Sequence, residues 1–262
     1  MGLMQQLCDD LDAEHAALDL MVAALDETQW SLPTPADDWA VRDQISHLWY
    51  FDQKALLALT DNDAFARDRE ALLASGVDGS VEPGRSMSGA ELLEGWRRDR
   101  RRLSEAARSV DPSERVPWYG PSMAARSFIS ARLMETWAHG CDVADTLGVA
   151  PPDTPRLRHV AHLGVRARPY AYLVNGLALP PVEVRVNLIS ADGGVWSWGD
   201  DPDAVDRVEG TALDFCLVVT QRRHVADTAL QVRGDAAREW MGIAQAFAGP
   251  AGPGREPGRF SA

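Results

Sequence analysis

Apolar residues recur at intervals of three and four from the start of the chain. Met4, Leu7, Leu11, Leu18, Val22 and Leu25 fall on one side of a long helix. Ser31-Leu-Pro-Thr-Pro-Ala ends it, because proline lacks an N–H and disfavours helix at the residue before it. Asp38 is placed as the N-cap of a second helix from Trp39 to Leu59, with Val41, Ile45, Leu48, Ala55 and Leu59 on its buried face. A polar, glycine-containing stretch follows from Asp61 to Gly84, with a helical pattern over Phe65 to Leu73. Ser88 and Glu91 form a capping box for a third helix that reaches about Val110. After a loop from Asp111 to Pro121, a fourth helix runs from Ala124 to Leu147 and stops at Gly148. Four long helices with short to moderate connections predict an up-and-down four-helix bundle.

Beyond Pro151-Pro-Asp-Thr-Pro155 the pattern changes. Thr154 to Asn175 still reads as helix, interrupted near Pro169. Val182, Val184, Val186 and Leu188 then alternate with polar residues, as in a half-buried strand. Asp192-Gly-Gly is a hairpin turn, and Val195 to Trp198 is the returning strand. A short strand near Arg207–Glu209, a helix from Thr211 to Arg222, a strand at Leu230–Arg233 and a helix from Ala236 to Phe247 complete the segment. The fold class is therefore two-domain α+β: a helical bundle over residues 1–150, a smaller α+β domain over 155–248, and a Gly/Pro-rich tail, 249–262, expected to be disordered.

Composition fits a globular protein, with 45% hydrophobic and 25% charged residues. The net charge of −13 is uneven, since residues 1–150 hold 26 acids against 14 bases. Such a surface repels phosphate backbones and anionic lipid, so no nucleic-acid or membrane partner is expected. The run Arg97, Arg98, Arg100, Arg101 and Arg102 has acids within helical reach and reads as a solvated face. Cys8, Cys141 and Cys216 are too few and too scattered for a disulfide framework or a thiolate metal site. With an acidic start that resembles no signal peptide, the expected location is the cytoplasm.

Glu135-Thr-Trp-Ala-His139 sets a carboxylate and an imidazole at i and i+4, stacked on one helix face. Asp142 is three residues further on. Such a pair supplies two ligands to a divalent cation, and a third must come from another helix. His47, in the middle of the second helix, is the candidate. Two histidines and one carboxylate leave coordination positions open, as catalytic rather than structural metal sites do. Spacing alone does not decide the matter, because Glu-x-x-x-His pairs and mid-helix histidines also occur as ordinary surface or core residues.

The surrounding residues carry more. Asp38-Trp-Ala-Val-Arg-Asp-Gln-Ile-Ser-His47-Leu and Glu135-Thr-Trp-Ala-His139-Gly-Cys-Asp142 resemble the two signatures of the DinB-like superfamily, and more narrowly its actinobacterial branch that includes mycothiol-dependent maleylpyruvate isomerase. The resemblance implies His47, Glu135 and His139 as ligands of a divalent metal, usually Zn2+. It also implies a low-molecular-weight thiol such as mycothiol as co-substrate, acting on a small electrophilic metabolite by isomerisation or S-transfer. Asp142 is either a partner that orients His139 or a helix-surface acid. Arg222 matches a functional arginine of that branch, a clamp for a carboxylate, although the Thr220-Gln221 before it departs from the family pattern. It serves equally as a cation at a helix C-terminus. Many relatives dimerise, which leaves a homodimer open. Thiol-independent hydrolysis or cyclisation at the metal, and a non-catalytic metal-binding module, are the other readings. His15 interrupts the first apolar stripe and reads as a core histidine bonded to a neighbour or as a substrate-site residue. Cys141 points to another face than His139 and reads as packing.

Overall fold

The computed structural model describes residues 2–75 and 79–260. Residues 76–78 of the polar stretch and 261–262 of the tail lie outside the described residues. The chain divides into two compact units, Met1–Pro152 and Asp153–Ala262.

Unit 1 comprises α1 (Leu3–Val22), the single turn α2 (Glu27–Trp30), α3 (Val41–Thr60), α4 (Asn62–Ser75), the single turn α5 (Glu82–Arg85), α6 (Gly89–Ala107), a hairpin of β1 (Arg115–Val116) and β2 (Met123–Ala124), and α7 (Ala125–Leu147). Helices α1, α3, α6 and α7 form the expected bundle. Both α1 and α3 pack on α6 and on α7, which places α1 opposite α3 and brings α3 alongside α7. Leu18, Val22, Val41, Ile45, Leu48, Leu92, Trp96 and Val143 make its hydrophobic core.

The Ser88 capping box is present: Glu91 Oε2 accepts from the Ser88 N–H at 2.9 Å, and Ser88 Oγ accepts from the Glu91 N–H. Gly148 ends α7 at φ 67°, a left-handed conformation that costs a residue with a Cβ and costs glycine little. Asp38 is not the cap of α3. It stands at φ 61° in a tight turn, and the helix begins at Val41. Asp43 in the first turn supplies the carboxylate, accepting from the Ala40 N–H at 2.9 Å and from Arg85 Nε at 2.9 Å.

Among the described residues of the bundle, buried polar side chains are paired, with one exception. Asp52 (0% exposed) accepts from Trp96 Nε1 at 3.0 Å and from Arg132 at 2.8 Å and 3.1 Å. Asp99 accepts from Trp49 Nε1 and Gln53 Nε2, and Arg98 closes on it. The basic run is more than a solvated face: Arg97 and Arg100 both bind Asp19 of α1, and Arg100 lies over the Trp96 ring, so the run ties α6 to α1.

The exception is His15. It is 1% exposed, edge-on to Trp96, and neither ring nitrogen has a hydrogen-bond partner, the Asp52 carboxylate lying 3.7 Å away. It is a core histidine, but not a bonded one. Burial pulls its pKa down from 6.5 to about 4, against the attraction of Asp52, and Arg100 and Arg132 add to the lowering. Between pH 4 and 6.5 the unfolded chain binds this proton and the folded chain does not, so stability rises with pH across that window. Acidification from pH 6.5 to pH 4 should therefore cost about 3 kcal/mol through this one group. Urea unfolding at both pH values should show that loss in the wild type and most of it abolished in His15→Leu.

Unit 2 comprises α8 (Leu157–Arg166), α9 (Arg168–Val174), β3 (Arg185–Ile189), β4 (Val195–Trp198), β5 (Arg207–Thr211), α10 (Ala212–Val219), β6 (Gln231–Arg233) and α11 (Asp235–Ile243). Pro169, in the first turn of α9, divides what the sequence reads as one interrupted helix. The sheet order is β4-β3-β5-β6, with β3 and β5 parallel and the outer pairs antiparallel. Gly193 at φ 81° makes the turn between β3 and β4. Val186, Leu188 and Val208 point to the core with Phe215 and Trp240. Residues 249–260, expected to be disordered, carry no helix or strand but are hydrogen-bonded into the unit. Tyr170 Oη donates to Gly249 O, Gly252 N to Gln245 Oε1, and Gly258 N to Asp227 Oδ1. Backbone groups with no helix or strand to join take side-chain partners instead. Among the described residues no helix is long and apolar enough to cross a membrane.

Candidate metal centre

Because α3 and α7 are neighbours, His47 on the first meets Glu135 and His139 on the second. One donor atom from each lies within 4.8 Å of the other two. His139 Nε2 and Glu135 Oε2 are 3.4 Å apart, close to the spacing of about 3.3 Å between two ligands held at ~2 Å in a tetrahedral site. The two imidazole rings are 4.6 Å apart, centre to centre. Among the described residues, no other group of His, Cys, Asp and Glu donors converges in this way.

The far nitrogen of each ring is already engaged. His139 Nδ1 donates to Gln44 Oε1 at 2.5 Å, and Gln44 Nε2 in turn donates to Thr34 Oγ1 at 2.9 Å, which fixes the amide's orientation. His47 Nδ1 is 2.8 Å from Ser80 Oγ. With Nδ1 of His139 committed as a donor, its Nε2 can do two things: share a second proton with Glu135, or present a lone pair to a cation. This arrangement, with one nitrogen bonded to the protein and the other aimed into the site, is the one metal-binding histidines adopt.

The loop that precedes α3 builds one wall. Its Thr34 and Trp39 are joined by backbone and side-chain bonds to the Trp39 carbonyl, and Pro33 pairs with Ala40. The Trp39 ring is thereby placed 5.0 Å from His47 and nearly parallel to His139 at 5.8 Å. Phe51, one turn along α3, packs on His47 at 4.7 Å. Aromatic walls exclude water on these sides, while the Glu135 side chain keeps 27% of its surface exposed. Burial works to raise the Glu135 pKa, but the hydrogen bond to His139 and positive charge at His139, Arg132 and His47 outweigh it and hold the group at about 2. Glu135 is therefore an anion at neutral pH. Two imidazoles and one carboxylate suit a divalent cation of the Zn2+ type, with room for exchangeable ligands.

Of the two readings of Asp142, a helix-surface acid does not fit its burial, and the hydrogen-bond partner of His139 Nδ1 is Gln44. Asp142 is fully buried one turn further along α7, whereas the His139 ring nitrogens are taken by Gln44 and Glu135. Arg222 belongs to unit 2, just after α10, where its Nη1 donates to the Thr220 carbonyl at 2.8 Å. Its backbone N–H bonds Leu217 O, as in a helix-terminating turn. Cys141 is fully buried, as a packing residue should be. Gln44 was legible as a polar residue between Val41 and Ile45 on the buried side of α3. Ser80 carries no sequence signal, since it comes from an irregular segment far along the chain. Replacing Gln44 by leucine should weaken metal binding about 10- to 100-fold, the range typical of such orienting partners, in a chelator competition assay.

Residues 11–144 match the family model described as the mycothiol maleylpyruvate isomerase N-terminal domain. Two uncharacterised proteins of Mycobacterium tuberculosis, one from strain CDC 1551 / Oshkosh and one from strain ATCC 25618 / H37Rv, are each 48% identical over 249 residues. The match covers 94% of this chain and 96% of theirs. Crystal structures of the mycothiol-dependent maleylpyruvate isomerase and of a point mutant of it share the fold. Their TM-scores are 0.55 and 0.56 at 13% and 14% identity, over 85% of this chain and 90% of those chains.

Proposed function

We propose that this chain, which belongs to the mycothiol maleylpyruvate isomerase N-terminal domain family, binds a divalent cation through His47, Glu135 and His139. The cation serves to activate a low-molecular-weight thiol, mycothiol or a close relative, against a small electrophilic metabolite. The observation that carries this reading is the convergence of the three donors, within 4.8 Å of one another, with both Nδ1 atoms engaged elsewhere. A bound Zn2+ would supply Lewis acidity, which lowers a thiol's pKa so that the thiolate exists at neutral pH.

The remaining work is done by the chain's own side chains. Gln44 and Ser80 fix the two rings, so the donors need not reorganise when the site fills. Glu135 is ionised without help from the cation and brings one negative charge, leaving a dication with a net positive site that favours an anionic sulfur. Trp39 and Phe51 shield the histidines from water, which strengthens electrostatic interactions beside them. The isomerase named for the structural relatives supplies the first substrate to try. Isomerisation of maleylpyruvate by the zinc-loaded protein should require added mycothiol and be lost in Glu135→Gln. Turnover of the same rate without thiol would remove the thiol from the account.

A further inference from the structure

A second feature of unit 1 lies apart from the three donors. A cavity of about 310 Å³ opens between one face of α4 and the β1–β2 hairpin, and none of His47, Glu135 and His139 lines it. Asn62, Phe65 and Arg69 reach it from α4 at helical spacing. Arg115, Pro117 and Ser122 reach it from the hairpin.

The two arginines are unlike most others of this unit. The first 150 residues hold 26 acids against 14 bases, so carboxylates are in excess, and Arg42, Arg85, Arg97, Arg98, Arg100, Arg108 and Arg132 each have one. Among the described residues neither Arg69 nor Arg115 does. Arg115 is held instead by neutral acceptors: its Nε and Nη2 bond the Ser122 hydroxyl, and Nη2 also bonds the Ser122 carbonyl. Those bonds fix the guanidinium, leave its charge uncompensated and leave Nη1 uncommitted. Two acids of the α4 segment are occupied, and among the described residues neither Glu70 nor Glu114, the sequence neighbours, pairs with either arginine. Asp68 takes the Tyr119 hydroxyl at 2.9 Å and the Lys54 ammonium, and Asp61 caps α4 through the Ala64 N–H at 2.9 Å. Asn62 brings the positive end of a 14-residue helix to the same cavity.

The rest of the lining is apolar and rigid. Phe65 is buried and stacked on Trp118, with ring centres 5.7 Å apart and planes within 5°, and Pro117 stands opposite. Two unpaired guanidinium groups beside an apolar floor are what a small carboxylate with a hydrophobic body requires. At about 310 Å³ the cavity is at the small end of ligand sites, sized for a metabolite rather than a cofactor. We infer that this cavity, built from Arg69, Arg115 and Phe65, is a binding site for a small organic carboxylate. The inference does not rest on the metal reading.

Benzoate is the probe, titrated by calorimetry into the whole protein, with benzyl alcohol as the same body without the charge. Benzoate should bind one to one and weaken as salt is raised, and benzyl alcohol should not bind measurably. The double substitution Arg69→Gln, Arg115→Gln should weaken benzoate at least about tenfold, since a single charge-assisted hydrogen bond is worth that much. Neither arginine holds an internal ion pair and the Arg115 bonds to Ser122 are solvent-exposed, so the unfolding midpoint of the double variant should stay close to that of the wild type. Benzoate binding should also survive His139→Ala, which separates this cavity from anion capture at the metal. Undiminished binding in the double variant, equal binding of benzyl alcohol, loss of binding in His139→Ala, or no saturable binding to the wild type would each overturn the inference.

Discussion

Replacing His139 by alanine should lower the affinity for Zn2+ by more than about a hundredfold, beyond the 10- to 100-fold expected of its orienting partner Gln44. The imidazole is the hinge of the cluster: it faces Glu135 at 3.4 Å, packs on the His47 ring at 4.6 Å and is anchored by Gln44 at 2.5 Å. Without it, two donors remain, fewer than the three protein ligands that a catalytic zinc keeps beside its open position. The variant also leaves Gln44 Oε1 without its donor in a buried position, so a modest loss of stability of about 1–3 kcal/mol accompanies the loss of metal. The two effects are read separately, metal by elemental analysis and stability by urea unfolding. A His139→Ala protein that retains one equivalent of metal would show that the donors converge for another reason.

Arg132→Met should destabilise the fold by about 3–5 kcal/mol, the largest effect on stability expected for a single substitution in unit 1. Arg132 is 4% exposed and its partner Asp52 is fully buried. Removing the guanidinium strands a carboxylate whose remaining donor is Trp96 Nε1 at 3.0 Å, with the unprotonated His15 ring 3.7 Å away. The cost comes from the charge left behind rather than from the bond lost. The double variant Arg132→Met, Asp52→Leu should therefore recover much of the stability, a non-additivity readable in a double-mutant cycle by denaturant unfolding. Equal losses for the single and double variants would mean that the pair is a packing element with little electrostatic content.

How far the sequence could be read depended on whether the signal was local. The three-four spacing in α1, the Ser88–Glu91 box and Gly148 each predict a feature from residues within one turn, and each stands in the structure. Glu135 and His139 were legible as a pair because i and i+4 must share a helix face. His47 joined them through the surrounding residues rather than through spacing. Asp38 misled because an aspartate before an amphipathic run looks like a cap. The choice between it and Asp43 is made by Arg85, whose bonds to the Asp43 carboxylate and the Asp38 carbonyl come from more than 40 positions along the chain. Ser80 and Thr34 were invisible for a related reason: Ser80 reaches His47 from 33 positions away and Thr34 reaches His139 only through Gln44, both from segments without periodicity. His15 was legible as a buried break in an apolar stripe, but only the packing shows that nothing bonds it. The tail reads as disordered by composition, and its bonds to Tyr170, Gln245 and Asp227 leave no trace in a Gly/Pro-rich string.

The proposed site is an open one of two histidines and one glutamate, whose metal takes a thiol as its ligand. Cobalt substitution tests it most directly, because Co2+ reports both the number and the kind of its ligands in its visible and near-ultraviolet absorption. The Co2+-loaded protein should show the intense visible bands of a low-coordinate ion. Mycothiol should then add a sulfur-to-cobalt charge-transfer band that saturates at one equivalent and is absent in His139→Ala. A Co2+-loaded protein whose spectrum does not change with thiol would contradict the account, whatever activity the protein proves to have.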